Sequence, residues 1–135
     1  MKVIIDTNVF ISGMFFPKGI PRKILLAWKH KIFRIVASPE ILEEYRDTVE
    51  TLKERYSTSD ALEFLELAML NSEYCQSSGL AEKVCADPDD DKFLACALAS
   101  ETNIIISGDK HLLDVSGYNG IKVLSPRQFV ENYIN

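Results

Sequence analysis

The sequence predicts an α/β fold: a three-layer α/β/α sandwich whose central sheet is mostly parallel. Short apolar runs rich in β-branched residues, such as residues 3–5 and 104–106, have the length and composition of buried parallel strands. Longer segments with helical periodicity separate these runs. This alternation is typical of βαβ units, which place helices on both faces of one sheet.

The strands follow from local apolar patterns. We expect them at residues 2–6, 32–37, 104–107 and 121–124, each of which is short and largely apolar. Residues 72–86 are ambiguous between loops and one short strand. A sheet of four or five strands is therefore expected.

The helices are expected in the intervening segments. Serine followed by proline, a favourable N-cap and first helical residue, marks helix starts at Ser38 and Ser125. The segment after the first strand contains Gly13, Pro17 and Gly19, which predict a loop. The predicted helices cover residues 21–30, 39–54, a stretch ending near 71 that Ser57 or Ser59 caps, 87–101, a short turn at 110–113 and the segment from 126 onward.

Length and composition indicate one domain, residues 1–135, with 47% apolar residues to form its core. No apolar run approaches the ~20 residues that span a membrane, and the chain begins directly with a strand, so we expect neither a membrane partner nor a signal peptide. The three cysteines have no CxxC spacing, which favours free thiols in a reducing cytoplasm.

The net charge of -5 neither supports nor excludes a nucleic-acid partner. Two bound divalent ions would bring it to -5 + 4 = -1, and the ions themselves would meet the phosphates. Basic residues cluster locally, although a solvated helix face explains them equally well. The cluster comprises Arg22, Lys23, Lys29, His30, Lys31 and Arg34.

Acidic residues follow two of the predicted strands. Asp6 ends the first strand, and Asp109 lies just past the strand at residues 104–107. In open α/β sheets, ligands bind in the crevice outside the carboxyl ends of the strands. A third group of acids lies between them in sequence, at Asp87, Asp89, Asp90 and Asp91. Because carboxylates are the preferred ligands of Mg²⁺ and Mn²⁺, these acids predict a metal site.

Each acid also has a purely structural interpretation. Asp6 suits an Asx turn, and Asp109 and Asp87 suit helix N-caps. Asp90 and Asp91 differ by about 100° around a helix axis, so one is expected to reach the metal and the other to support it, with a slight preference for Asp90.

Glu44 is a weaker candidate from the helix that follows Ser38. It lies roughly 110° from the centre of that helix's apolar stripe, on the boundary between core and solvent. An ordinary boundary glutamate explains it equally well. His30 and His111 are isolated in sequence and are expected at the surface rather than as ligands.

Taken together, these motifs resemble the PIN domain, a metal-dependent ribonuclease fold, and in particular its bacterial and archaeal branch described as toxin components of toxin-antitoxin systems. The matching segments are Asp6-Thr7-Asn8-Val9, the stretch from Ser38 through Glu44 to Tyr45, the stretch from Asp87 to Leu94 with Ala97, and the stretch from Ser107 through Asp109 to Leu113.

The resemblance implies a function and a set of site residues. It implies hydrolysis of RNA phosphodiester bonds with Mg²⁺ or Mn²⁺ held by Asp6, Glu44, Asp90 and Asp109, with Asp91 as the alternative to Asp90. Thr7, Asn8 and Ser107 would then orient the ligands, although serine stands at position 107 where the family often has threonine. The implied partners are an RNA substrate, a small antitoxin protein and a second copy of the chain in a homodimer.

Three other functions remain open at this point. A phosphatase of the haloacid dehalogenase type would use a similar start, but Asn8 stands where its second aspartate belongs. A receiver-like signalling domain would need paired acids after the first strand, where only Asp6 is present. A catalytically silent RNA- or protein-binding module would bind metal without turnover.

Overall fold

The computed structural model describes residues 1–56, 61–77, 79–80 and 82–134 of the chain. These residues form a five-stranded parallel sheet flanked by helices. The strands are β1 (Lys2–Ile5), β2 (Arg34–Ala37), β3 (Glu73–Tyr74), β4 (Ile104–Ile106) and β5 (Lys122–Leu124). The α-helices are α1 (Thr7–Phe15), α2 (Ile20–Lys29), α3 (Pro39–Leu52), α4 (Ala61–Asn71), α5 (Asp91–Ser100), α6 (Lys110–Leu113) and α7 (Pro126–Phe129). The predicted α/β/α sandwich is confirmed.

The order of the strands creates a crevice at the centre of the sheet. The order is β3-β2-β1-β4-β5, so the chain moves outward from β1 in one direction and later returns to β1's other side. Ile5 is in register with Ile106, and the backbone amide of Asp6 donates to the Ile106 carbonyl at 3.0 Å. The residues that follow β1 and β4 therefore emerge side by side, at the switch point where open sheets bind ligands.

The buried core fixes the carboxyl end of β1. Phe10 of α1 stacks on Tyr45 of α3, with ring centroids 4.3 Å apart and an interplanar angle of 6°. The hydroxyl of Tyr45, which is fully buried, donates a hydrogen bond to the Ile5 carbonyl. Because both rings belong to the core, α1, α3 and the end of β1 are held as one unit beneath the crevice.

The predicted loop after the first strand is wrong, because residues Thr7–Phe15 form helix α1. This helix is buried on nearly all sides, so its sequence lacks the apolar stripe that reveals a surface helix. Gly13 does not break it. A Cβ at this position would lie 2.7 Å from Cδ1 of Leu25, so Gly13 is required for the close packing of α1 against α2.

The other elements differ from the expectations mainly at their ends. A 3₁₀ turn over Pro88–Asp90 precedes α5, and the ambiguous segment contains the short strand β3. Helix α7 continues as a π-helical turn over Val130–Ile134. Ser57 and Ser59 lie outside the described residues. No helix among the described residues has the length and apolar character needed to cross a membrane.

Candidate metal centre

Asp6 lies at the base of the crevice and is almost fully buried, with 3% of its surface exposed. Its Oδ1 accepts a hydrogen bond from the Val9 amide at 2.8 Å, which caps α1, and its Oδ2 accepts one from the Ser107 hydroxyl. The pKa of Asp6 is raised to about 6, first by burial and then by the nearby charges of Asp109 and Glu44, which together outweigh the lowering effect of these two hydrogen bonds. In the absence of a cation, the ionised form of Asp6 is therefore less stable than that of an aspartate in water.

Ser107 connects the acids that follow β1 and β4. Its hydroxyl, which is fully buried, donates to Asp6 and accepts from the backbone amide of Asp109 at 2.9 Å. Asp109 in turn caps α6 by accepting from the His111 amide at 2.8 Å. The structural and functional interpretations of Asp109 are thus compatible, because the cap occupies Oδ1 and leaves Oδ2 for a further partner.

Glu44 enters the crevice from α3. The buried hydroxyl of Thr7 donates to Glu44 Oε1, and the ammonium group of Lys92 forms an ion pair with Oε2. Sequence reasoning gave Lys92 no role. Its position next to the acidic cluster was visible, but its pairing with Glu44 depends on the contact between α5 and α3, which the sequence alone does not reveal.

Asp90 and Asp91 point in different directions. Asp91 accepts hydrogen bonds from the backbone amides of Val84 at 3.0 Å and Cys85 at 2.7 Å. Burial alone would raise the pKa of Asp91, but these two amides outweigh burial and lower it. Asp91 therefore anchors the preceding loop, whereas the sequence left it open as a direct metal ligand.

Asp90 instead faces other acids. Its Oδ2 is buried and has no hydrogen-bond partner among the described residues. The pKa of Asp90 is raised to about 6, first by burial and then by the negative charges of Asp109 and Asp87. A buried carboxylate oxygen without a partner is costly, so this atom indicates a missing cationic or hydrogen-bonding partner.

His111 lies beside these acids and is not isolated, although its side chain is about half exposed. Its Nδ1 is 3.6 Å from Asp109 Oδ1 and 3.8 Å from Asp90 Oδ2. Ligand atoms of Asp87, Asp90 and His111 all lie within 4.8 Å of one another. This compact group shares Asp90 with the predicted site but does not include Asp6, Glu44 or Asp109. Asp87 is also the expected N-cap and accepts from the Asp89 amide at 3.0 Å.

The donor set suits a divalent cation. Mg²⁺ and Mn²⁺ prefer carboxylate oxygens, which are supplied here by Asp6, Glu44, Asp90 and Asp109. The charges of Asp109 and Glu44 both raise the pKa of Asp6. The unpartnered Oδ2 of Asp90 is a further observation in favour of a cation. The residues present therefore fit the metal that the sequence predicts.

Open clefts flank the carboxylates on two sides. One of about 310 Å³ is lined by Asn8 and Asp109 with neighbours from α1 and α7. Another of about 430 Å³ is lined by Glu44 and Lys92 with other residues of α3 and the 3₁₀ turn. Asn8 is exposed, and within the described part of the chain its amide makes no hydrogen bond to the acids, unlike Thr7 and Ser107.

The fold and the site together define a parallel α/β protein with acids gathered at the switch point of its sheet. Comparison with known families identifies the family: residues 2–111 match the PIN domain family, and the chain belongs to that family. PIN domain proteins are nucleases. Asn8, which departs from the phosphatase motif, is compatible with this assignment.

Similar proteins are found both by sequence and by structure. An uncharacterised protein of Methanocaldococcus jannaschii is 34% identical over 144 residues, covering 98% of this chain and 92% of the relative. The crystal structure of VapBC2 from Rickettsia felis, bound to a DNA fragment from its promoter, superposes with a TM-score of 0.62. That similarity covers 93% of this chain and 98% of the other, but at 12% identity it supports the fold alone.

Proposed function

We propose that this protein is a metal-dependent endoribonuclease that hydrolyses RNA phosphodiester bonds with Mg²⁺ or Mn²⁺. The observation that carries the proposal is the meeting of acids from four separate segments of the chain at one crevice. The charges of Glu44 and Asp109 both act on the buried Asp6, and the charge of Asp109 also acts on Asp90. Membership of a nuclease family supports the same reaction class.

The roles of the residues follow from their contacts. Asp6, held by the Val9 amide and the Ser107 hydroxyl, would be the central ligand, with Asp90 and Asp109 beside it. Thr7 orients Glu44 to hold a second ion or the attacking water. A divalent ion in such a site activates water and stabilises the charge that develops on the phosphate and the leaving oxygen. No histidine base is then required.

The biological setting proposed here is a toxin-antitoxin pair in the cytoplasm, in which residues 1–135 act as one catalytic domain and assemble as a homodimer. The resemblance of the sequence motifs to the toxin branch of the PIN domain family motivates this role and a small antitoxin protein as partner, and VapBC2 is a protein of the same fold. Three free cysteines among the described residues support a reducing compartment.

The direct test is cleavage of a labelled RNA with Mn²⁺ by the wild type and by Asp6→Asn and Asp109→Asn. Each variant removes one negative ligand while keeping the side-chain size, so we expect each to lose cleavage and to stay folded by circular dichroism. Asp114→Asn, an exposed acid at the end of α6, is the matched control and should cleave normally. Full cleavage by either site variant would contradict the proposal, and metal binding without turnover on any RNA would favour a silent binding module.

A further inference from the structure

His111 is a side chain at the acidic crevice that the proposed nuclease reaction does not use. Its backbone amide is fixed to Asp109 Oδ1 at 2.8 Å, which sets the direction from which the imidazole starts. Its Nδ1 lies 3.6 Å from Asp109 Oδ1 and 3.8 Å from Asp90 Oδ2. Both separations exceed the ~2.7–3.2 Å of a protein hydrogen bond, so the ring is a close neighbour of these oxygens without bonding to either.

The same spacing suits two ligands of one ion. Ligand atoms about 2.1 Å from a shared metal are separated by roughly 3.0 Å when adjacent and 4.2 Å when opposite. The Nδ1 to Oδ2 separation of 3.8 Å falls between these two values, and one ligand atom from each of Asp87, Asp90 and His111 lies within 4.8 Å of the other two. The Oδ2 atom of Asp90 also lacks a hydrogen-bond partner in the described part of the chain, as expected of an oxygen that binds a cation.

We propose that His111 Nδ1 is a nitrogen ligand of the divalent ion beside Asp90, and that it makes the centre favour Mn²⁺ over Mg²⁺. This inference rests on the proposed function for the presence of an ion at the crevice. Mg²⁺ is a hard cation that prefers oxygen and gains little from imidazole, whereas transition ions accept imidazole readily. The carboxylates would bind either ion, and His111 would add affinity for Mn²⁺ alone.

The chain offers a clean spectroscopic test because it contains only two histidines. The full-length protein, freed of metal with a chelator, is loaded with Mn²⁺ and studied by electron spin echo envelope modulation, which detects ¹⁴N bound to the ion. Calorimetric titrations with Mn²⁺ and with Mg²⁺ give the two affinities. His111→Gln and His111→Ala are compared with His30→Gln, the matched control at the exposed end of α2.

We expect ¹⁴N modulation in the wild type and in His30→Gln and its loss in both His111 variants. The Mn²⁺ affinity of those variants should fall on the order of tenfold, with less than about a twofold change for Mg²⁺. Modulation that persists without His111, or an equal loss for both metals, would overturn the assignment. Circular dichroism melts show whether each variant is folded, and two different replacements protect against a local artefact.

Failure of this inference and failure of the nuclease proposal have different signatures. If the wild type cleaves RNA with Mn²⁺ but shows no ¹⁴N modulation, the role of His111 is contradicted and the nuclease proposal is not. If the wild type shows the modulation but cleaves no RNA, the nuclease proposal is contradicted and the assignment of His111 as a metal ligand is not. Absence of any Mn²⁺ binding overturns both.

Discussion

Charged side chains at the two ends of the sheet differ in their burial and in their pairing. At the carboxyl end, Asp6 is almost fully buried, and a buried oxygen of Asp90 has no hydrogen-bond partner among the described residues. Near the amino end, Arg34 at the start of β2 pairs with Glu73 at 3.0 Å, and the exposed fractions of their side chains are 66% and 39%. Lys29 at the end of α2 similarly pairs with Glu63 at 2.7 Å.

This difference shows that unfavourable charge is concentrated at the carboxyl end of the sheet. The amino-end pairs are neutral, solvated and individually weak, so they add little to stability. The carboxyl end holds several acids, which face the ammonium group of Lys92 at Glu44 and the imidazole of His111 at Asp90 and Asp109. Groups whose pKa values are shifted by burial and like charges cluster at functional sites, and here they cluster at the sheet's switch point.

The largest effect is expected when Asp90 and Asp91, which are adjacent in sequence, are replaced one at a time. Asp90→Asn should lower Mn²⁺-dependent cleavage on the order of a hundredfold to a thousandfold, because the loss of a charged ligand removes several kcal/mol of transition-state stabilisation. It should not destabilise the metal-free protein, since Asp90 is an unfavourable charge there. Steady-state cleavage of a labelled RNA and urea unfolding measure the two effects.

Asp91→Asn should show the reverse pattern. It weakens hydrogen bonds to the backbone amides of Val84 and Cys85, so we expect a loss of about 1–3 kcal/mol of unfolding free energy with a much smaller change in cleavage by the folded protein. If Asp91→Asn were the inactive variant and Asp90→Asn the unstable one, the assignment of the two residues would be reversed.

The second effect is a pH dependence that metal should invert. The folded-state pKa of Asp6 is about 6, above its ordinary value of 3.8, so between these pH values the native state binds more protons than the unfolded state. The stability of the metal-free protein should therefore fall as pH rises from 4 to 6, by about 2 kcal/mol from this group. With saturating Mn²⁺, which binds the carboxylate form, stability should instead rise over this interval.

The measurement is urea unfolding from pH 4 to 7.5, in chelator and in Mn²⁺. Asp6→Asn isolates the contribution of this group, because the other titrating acids are common to both proteins. A metal-free wild type whose pH dependence matches that of Asp6→Asn would show that Asp6 titrates normally.

The sequence could place the acids that follow strands but not those that depend on neighbouring elements. Asp6 comes directly after one apolar run and Asp109 three residues after another, and parallel strands bring such positions to one edge of the sheet. The choice between Asp90 and Asp91 was different, because the amides that bind Asp91 belong to a loop outside the helix. Periodicity carries no information about that loop.

Other features were hidden for related reasons. Helix α1 is buried on nearly all sides, so it shows no apolar stripe, and its Gly13 indicates close packing and not a turn. The pairing of Lys92 with Glu44 requires α3 and α5 to be adjacent. His111 is partly exposed, as expected, yet it adjoins the acids because α6 begins at Asp109. In each case the missing information is tertiary.

A smaller effect is expected beneath the crevice, at Tyr45. Tyr45→Phe removes the hydrogen bond to the Ile5 carbonyl but keeps the stacking on Phe10, so it should cost about 1 kcal/mol of unfolding free energy. Because Asp6 follows Ile5 directly, the Mn²⁺ affinity should also fall severalfold, as measured by calorimetry. Tyr74→Phe, at an exposed position on β3, is the control and should change neither quantity.

The smallest effect is expected at the amino end, where Lys29 and Glu63 form an exposed pair. A double-mutant cycle with Lys29→Met and Glu63→Gln should give a coupling of less than about 1 kcal/mol, because solvent and salt screen exposed charges. The coupling should fall further in 1 M salt, where the screening length is about 3 Å, and RNA cleavage should be unchanged. The Glu50–Lys53 pair, 2.9 Å apart on the surface near the end of α3, provides a matched cycle. A coupling as large as the pH effect of Asp6 would remove the contrast between the two ends, because charge at the amino end would then matter as much as charge at the site.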